Sequence, residues 1–159
     1  MLSQRYCLSV ETDGRFATDS ELHFLDHYIG SYSIRLSAYQ KIRAAEVKIV
    51  QQVYAKIRAI DSNLLHVGGE DISVKWKQDT IRVLRYSATA LLLDDPKTLQ
   101  ERLLFWFQTI MKAFNTQRSC EVTYIMMQEV IKQHLTGAEM ELFRPILELN
   151  RAALGVSAP

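Results

Sequence analysis

Cysteine is scarce in this 159-residue chain: Cys7 and Cys120 stand far apart and in no repeated spacing. Two such residues supply neither a disulfide framework nor a zinc site, and they fit a reducing, cytoplasmic setting. A surplus of charge is also missing. Nineteen Lys and Arg against eighteen Asp and Glu leave a net charge of +1, without the basic footprint expected of nucleic-acid or anionic-membrane binding. Apolar runs are short: 88–93, with Thr89 inside it, and 103–107 are the longest, far below the ~20 residues of a membrane span. The first fourteen residues hold no stretch like the apolar core of a secretory signal. Nucleophile–base motifs, phosphate-binding glycine loops and paired catalytic carboxylates are not found either, which argues against an enzyme.

What is present is helix punctuation. With 48% hydrophobic residues the length suits one domain with its own core. Thr18 and Glu21 form a capping-box pattern, which predicts a helix ending near Gly30 and one or two further helices over 31–60. In the latter, Val47, Val50, Tyr54 and Ile57 recur at helical spacing. A loop around Gly68 and Gly69 leads to a helix starting at Asp71 or Ser73, whose inner stripe reads Val74, Ile81, Leu84, Ala88 and Leu91. Asp95-Pro96 opens the next, with Leu99, Leu103, Trp106, Phe107, Ile110 and Phe114 at helical intervals and a stop at Asn115. Helices over 119–135 and 136–154 complete an all-α chain, the last opened by Thr136 and Glu139 and kinked at Pro145.

The run from Trp76 through Asp79, Arg85 and Tyr86 to Ala90-Leu-Leu-Leu-Asp94-Asp95 resembles the chromophore-cradling helix of the phycobiliproteins, with Trp76 standing where that family places its bilin-attaching cysteine. Three further stretches resemble the family in the same order. They are Asp13-Gly14-Arg-Phe-Ala-Thr18, Leu99-Gln-Glu-Arg102 and Leu135-Thr-Gly-Ala-Glu139. The pattern is most similar to the bilin biosynthesis-associated globins. The resemblance implies a globin-like core over 18–159 preceded by an N-terminal helical extension over 1–17 that pairs subunits. It also implies a non-covalently held linear tetrapyrrole, a bilin such as phycocyanobilin or biliverdin, carried, buffered or sensed. The alternative is a chromophore-free structural or regulatory protein of the same fold.

A linear tetrapyrrole asks for an acceptor at its inner pyrrole N–H groups and cations at its two propionates. The resemblance assigns the first role to Asp79. Trp76 and Val83, three before and four after Asp79, share its helix face as an aromatic and an apolar wall. Trp76 either stacks on the bilin or fills its space. Lys75, Arg82 and Arg85 flank the face as propionate partners, with Tyr86 beside them. Trp106, between Phe105 and Phe107, is a candidate for the opposite wall, although three consecutive aromatics point in different directions. Cys7, in the extension, and Cys120, beyond the cradle, are not expected to anchor a pigment.

Haem of the ordinary globin kind is not expected, since His23, His27, His66 and His134 all fall outside the two helices between Ser73 and Phe114. His23 and His27 are spaced as a two-ligand pair without a third. For partners, the resemblance implies a homodimer, or pairing with a related subunit, in which Glu11, with Asp13 nearby, meets Arg85 of the other chain. Leu2, Leu8, Val10 and Phe16 would supply the apolar contact. Bilin-biosynthesis proteins are further expected partners.

Overall fold

Helix-forming sequence broken by a few capped turns gives an almost wholly helical chain. The computed structural model describes residues 2–155, with side chains from residue 6 onward; the side chain of Leu2 lies outside them. Helix α1 spans Leu2–Glu11, and α2 runs over Asp19–Ile60. Thr18 accepts from the Glu21 N–H while the Glu21 carboxylate accepts from the Thr18 N–H, so the expected capping box starts α2. The expected break at Gly30 does not occur. A glycine costs a helix only about 1 kcal/mol, and tertiary bonds bridge this one. The Arg35 guanidinium, in a side chain 1% exposed, donates to Tyr28 O and Ser31 Oγ on its own helix and to Leu92 O at the end of α3 (Ser73–Leu93). It also lies 4.0 Å over the Tyr28 ring.

Between α2 and α3 a short hairpin appears that no strand pattern announced. His66–Val67 (β1) pairs antiparallel with Glu70–Asp71 (β2). Gly68 and Gly69 take φ of 59° and 89°, the two positive values that a primed two-residue turn demands. Asp71 accepts from the Ser73 N–H at 2.7 Å, while the cap position itself is Ile72, which has no side-chain bond.

Helix α4 (Pro96–Leu99) is capped by Asp95, which accepts from Thr98 N–H and Oγ1. It runs through a π turn at Gln100–Leu104 into α5 (Phe105–Ala113). The Phe105 N–H reaches Gln100 O, five residues back. A π turn inserts one residue and so rotates everything after it by about 100° relative to a regular helix. Phe107 therefore turns inward, whereas Trp106 is 54% exposed and Phe114 also faces out, correcting the stripe read from the sequence. Val47 and Val74 likewise face solvent. Trp76 takes the inward direction, and a residue two positions earlier on a helix points nearly opposite.

Helices α6 (Gln117–Ile131) and α7 (Gly137–Leu154) close the bundle, with Pro145 inside α7. The core runs through Ile49, Val53, Leu84, Leu91, Leu104, Met127, Phe143 and Leu147. The Thr136–Glu139 capping box forms as expected and does more. Buried Glu139 also accepts from Lys41 Nζ at 2.7 and 2.8 Å and from Ser37 Oγ at 2.8 Å, clasping α7 to α2. Burial alone would raise this carboxyl; the bonds from Lys41, the Thr136 backbone and Ser37 outweigh it and bring the pKa down to about 2. A carboxyl depressed in the fold stabilises it above the unfolded pKa near 4.5, and that stability is lost as pH falls toward 2. The contribution at neutral pH is about 1–3 kcal/mol after allowing for solvent at half-exposed Lys41. Glu139→Gln is accordingly expected to be less stable than wild type at pH 7 and to lose less between pH 4.5 and 2. Urea unfolding at those pH values checks this, and parallel curves for the two proteins would refute it.

Candidate functional site

A cleft of about 290 Å³ opens between α3, α5 and α6. The first half of α3 provides Lys75, Trp76, Asp79 and Thr80 on one side. Phe107, Ile110 and Met111 of α5 provide the second, aimed inward by the π turn. The third side is α6, through Ser119, Cys120, Thr123 and Tyr124, while Val67 and Ile72 of the hairpin region lie at the edge. Three of the sequence candidates, Lys75, Trp76 and Asp79, thus meet in one place.

Trp76 is 8% exposed, and its position is held from two directions. Its indole N–H donates to Thr123 Oγ1 at 3.0 Å, and Thr123 in turn donates to Ser119 O at 2.7 Å. The Tyr54 ring packs 6.0 Å from the indole, with the Lys77 ammonium 3.9 Å from the centre of the Tyr54 ring. Polar satisfaction of the N–H leaves the apolar body of the indole as the cleft wall.

Asp79 pairs with Lys75 at 3.1 Å, one turn back on α3, and is only partly buried. Its charge is felt inside. Burial, and then the Asp79 carboxylate, push the Cys120 thiol up to about 12. The Tyr124 phenol is likewise raised well above 10, by burial first and then by Cys120 and Asp79. At neutral pH the cleft therefore combines one carboxylate, one ammonium, a protonated thiol and a protonated phenol within apolar walls.

The remaining candidates stand elsewhere. Val83 is buried in the core, and it does not line the cleft. Arg82 and Tyr86 are exposed on α3 and do not line the cleft. Arg85 is drawn to the other side of the helix by Glu46 of α2, in a two-bond pair at 2.6 and 2.8 Å. Trp106 lies outside, stacked on Phe107 with ring centres 5.9 Å apart, so Phe107 takes the wall role expected of it. Cys120, placed beyond the cradle by sequence position, lines it. The α6 wall was missed altogether, although Ser119–Thr123 and Cys120–Tyr124 are i, i+4 pairs, a helical stripe of small polar residues with a phenol at its end.

As a receptor for a linear tetrapyrrole the cleft fits in part. Asp79 is an acceptor, Lys75 a cation, and Trp76, Phe107 and Met111 are flat or soft walls. Its volume, however, sits at the lower bound of about 300 Å³ for pockets that engulf a drug-sized ligand; four rings with two propionate arms need more.

Comparison with known proteins places the fold. The allophycocyanin beta chain of Microchaete diplosiphon is 26% identical over 135 residues, covering 82% of this chain and 83% of that one. The family model described as phycobilisome protein matches residues 6–154, from within α1 to the last residue of α7. An all-α, globin-like chain with an N-terminal helical extension, matched over almost its whole length, this protein belongs to the phycobilisome protein family.

Proposed function

We propose that this protein binds a linear tetrapyrrole reversibly and without a covalent bond, and carries, buffers or senses it rather than catalysing a reaction. One observation carries the reading: a carboxylate, Asp79, opens into an apolar cleft whose attachment position is Trp76 and whose thiol, Cys120, stays protonated. A thiol must ionise to act as a nucleophile, so pigment held there is held by contacts. Asp79 accepts ring N–H groups, Lys75 exchanges its Asp79 pair for a propionate, and a bilin such as phycocyanobilin or biliverdin is the ligand class. Membership of the family and the likeness to an allophycocyanin chain support bilin as that ligand.

The second reading, a chromophore-free structural or regulatory protein, is favoured by the tight fixing of Trp76 between Thr123 and Tyr54 and by the small cleft. In either case the extension offers a pairing surface. Tyr6, Val10 and fully open Phe16, 98% exposed, stand out from it, with Ile29 and Tyr32 on the first part of α2. Subunit pairing, with a second copy or a related chain, rests on these apolar residues. The charge pair expected between Glu11 and Arg85 does not support it, since Arg85 is engaged by Glu46 of its own chain. Proteins of bilin biosynthesis are the natural donors or acceptors of the pigment. No helix among the described residues is long and apolar enough to cross a membrane, and a cytoplasmic site of action suits a bilin carrier.

The test is co-expression with bilin-producing enzymes. Purified protein is expected to absorb in the visible, to release its pigment from the polypeptide in acid urea, and to sediment as a dimer at micromolar concentration. Pigment that stays on the denatured chain refutes non-covalent binding. Colourless protein from bilin-rich cells selects the chromophore-free reading, and a monomer rules out pairing through the extension.

A further inference from the structure

Between the Trp76 indole and helix α6 stands a hydroxyl whose direction is fixed. Thr123, 2% exposed, donates to Ser119 O at 2.7 Å, four residues back on α6. A hydroxyl carries a single proton, so Oγ1 has only lone pairs left to offer α3. There it accepts from the Trp76 indole N–H at 3.0 Å, and this is the one acceptor that N–H has among the described residues. An oxygen able only to accept, facing a group able only to donate, sets one position of the ring.

That position bears on the cleft. Trp76, Ser119 and Thr123 line it, whereas Tyr54, 6.0 Å from the indole, does not. The indole therefore has Tyr54 of α2 on one side, α6 at its N–H edge, and open volume on another side. A packed interior leaves a displaced ring no other room. Leaving a buried donor without an acceptor disfavours a state by about tenfold or more, so an indole deprived of Thr123 Oγ1 turns toward the water of the cleft. A bicyclic ring turned into about 290 Å³ takes up much of it. We propose that Thr123 is a positioning residue that latches Trp76 at the wall, and that the cleft admits pigment only while this bond holds. The pigment named here rests on the tetrapyrrole reading above; the latch does not. With the ring fixed beforehand, binding need not spend energy on ordering it.

Thr123→Val removes the oxygen and keeps the branched shape, Thr123→Ala removes it with less bulk, and Thr123→Ser keeps it. The first readout needs no ligand: hydrogen exchange of the Trp76 indole N–H, followed by NMR with exposed Trp106 as the fast reference. Exchange is expected at least about tenfold faster in Thr123→Val and Thr123→Ala than in wild type, and near wild type in Thr123→Ser. In titrations with biliverdin, the first two are expected to bind about tenfold more weakly and Thr123→Ser to bind as wild type does. Trp76→Phe has no N–H to strand, so adding Thr123→Val to it is expected to cost no further affinity. Wild-type exchange or wild-type affinity in Thr123→Val overturns the latch. So does an equal loss from Thr123→Val in the Trp76→Phe protein, which makes Thr123 a direct contact of the pigment. If biliverdin does not bind wild type, the tetrapyrrole reading fails, and the exchange rates alone decide whether Thr123 holds the indole.

Discussion

Asp79→Asn is expected to weaken bilin binding by about 10- to 100-fold and to leave the fold nearly untouched. The two halves of that expectation come from different magnitudes. A hydrogen bond to an ionised acceptor in a partly water-excluded site is worth about 1.5–3 kcal/mol, and the amide that replaces it is a weaker, uncharged acceptor. The ion pair with Lys75 that is also lost is an i, i+4 contact on a half-open helix face, worth about 0.3–0.5 kcal/mol. Binding should therefore change far more than the unfolding midpoint in urea. The long-wavelength band of any residual complex should shift or bleach, since the charge facing the ring N–H groups is gone. A second readout needs no ligand. The Asp79 charge is one cause of the raised Cys120 pKa, so the Cys120 thiol should titrate at lower pH in Asp79→Asn while burial keeps it above its ordinary value. An unchanged affinity and spectrum would reduce Asp79 to a surface ion pair; an unchanged thiol titration would place its carboxylate outside the cleft.

Residues with local causes were the ones legible in the sequence. Thr18 with Glu21, Asp95 with Pro96, and Thr136 with Glu139 define helix starts by bonds three residues long, and each forms where the pattern places it. Gly30 shows where that logic ends. Its neighbours Tyr28, Ser31 and Arg35 are bound together, and Arg35 reaches Leu92 some sixty residues on, a contact no window around the glycine contains. The π turn at Gln100–Leu104 is a second case, because periodicity assumes 3.6 residues per turn and cannot register an inserted residue; Trp106 and Phe107 exchange roles as a result. For the site, the α3 wall was readable because Lys75, Trp76 and Asp79 lie within two turns of one helix. The α6 wall was not, since Cys120, Thr123 and Tyr124 reach Trp76 and Asp79 only through the packing of α6 beside α3. Arg85 failed for the same reason in reverse: Glu46, on α2, takes the side chain that α3 alone would leave free.

Trp76→Ala is expected to lower stability by about 3–5 kcal/mol and to tighten bilin binding. The first effect is the cost of emptying a buried indole position in a packed interior. Here it adds the loss of the Thr123 bond and of the Tyr54 contact. Thr123 keeps its bond to Ser119 O, so the change leaves no buried donor stranded. The second effect follows from size. Removing the indole enlarges a cleft of about 290 Å³ in the direction of the vacated attachment position, which allows rings beyond the first to enter and to bury apolar surface at about 25 cal/mol per Å². Equilibrium unfolding measures one effect and absorbance titration with biliverdin the other, under conditions where the variant remains folded. The outcomes separate the roles left open for this residue. Tighter binding by the variant marks Trp76 as a limit on how much pigment enters. Weaker binding marks it as the surface on which the pigment stacks, and contradicts that limit. Binding by the variant when wild type binds nothing makes Trp76 a plug, in a protein that keeps the phycobilisome fold without its chromophore. A variant as stable as wild type would contradict the core position itself, because a tryptophan 8% exposed and fixed by a bond and a ring cannot be removed at no cost.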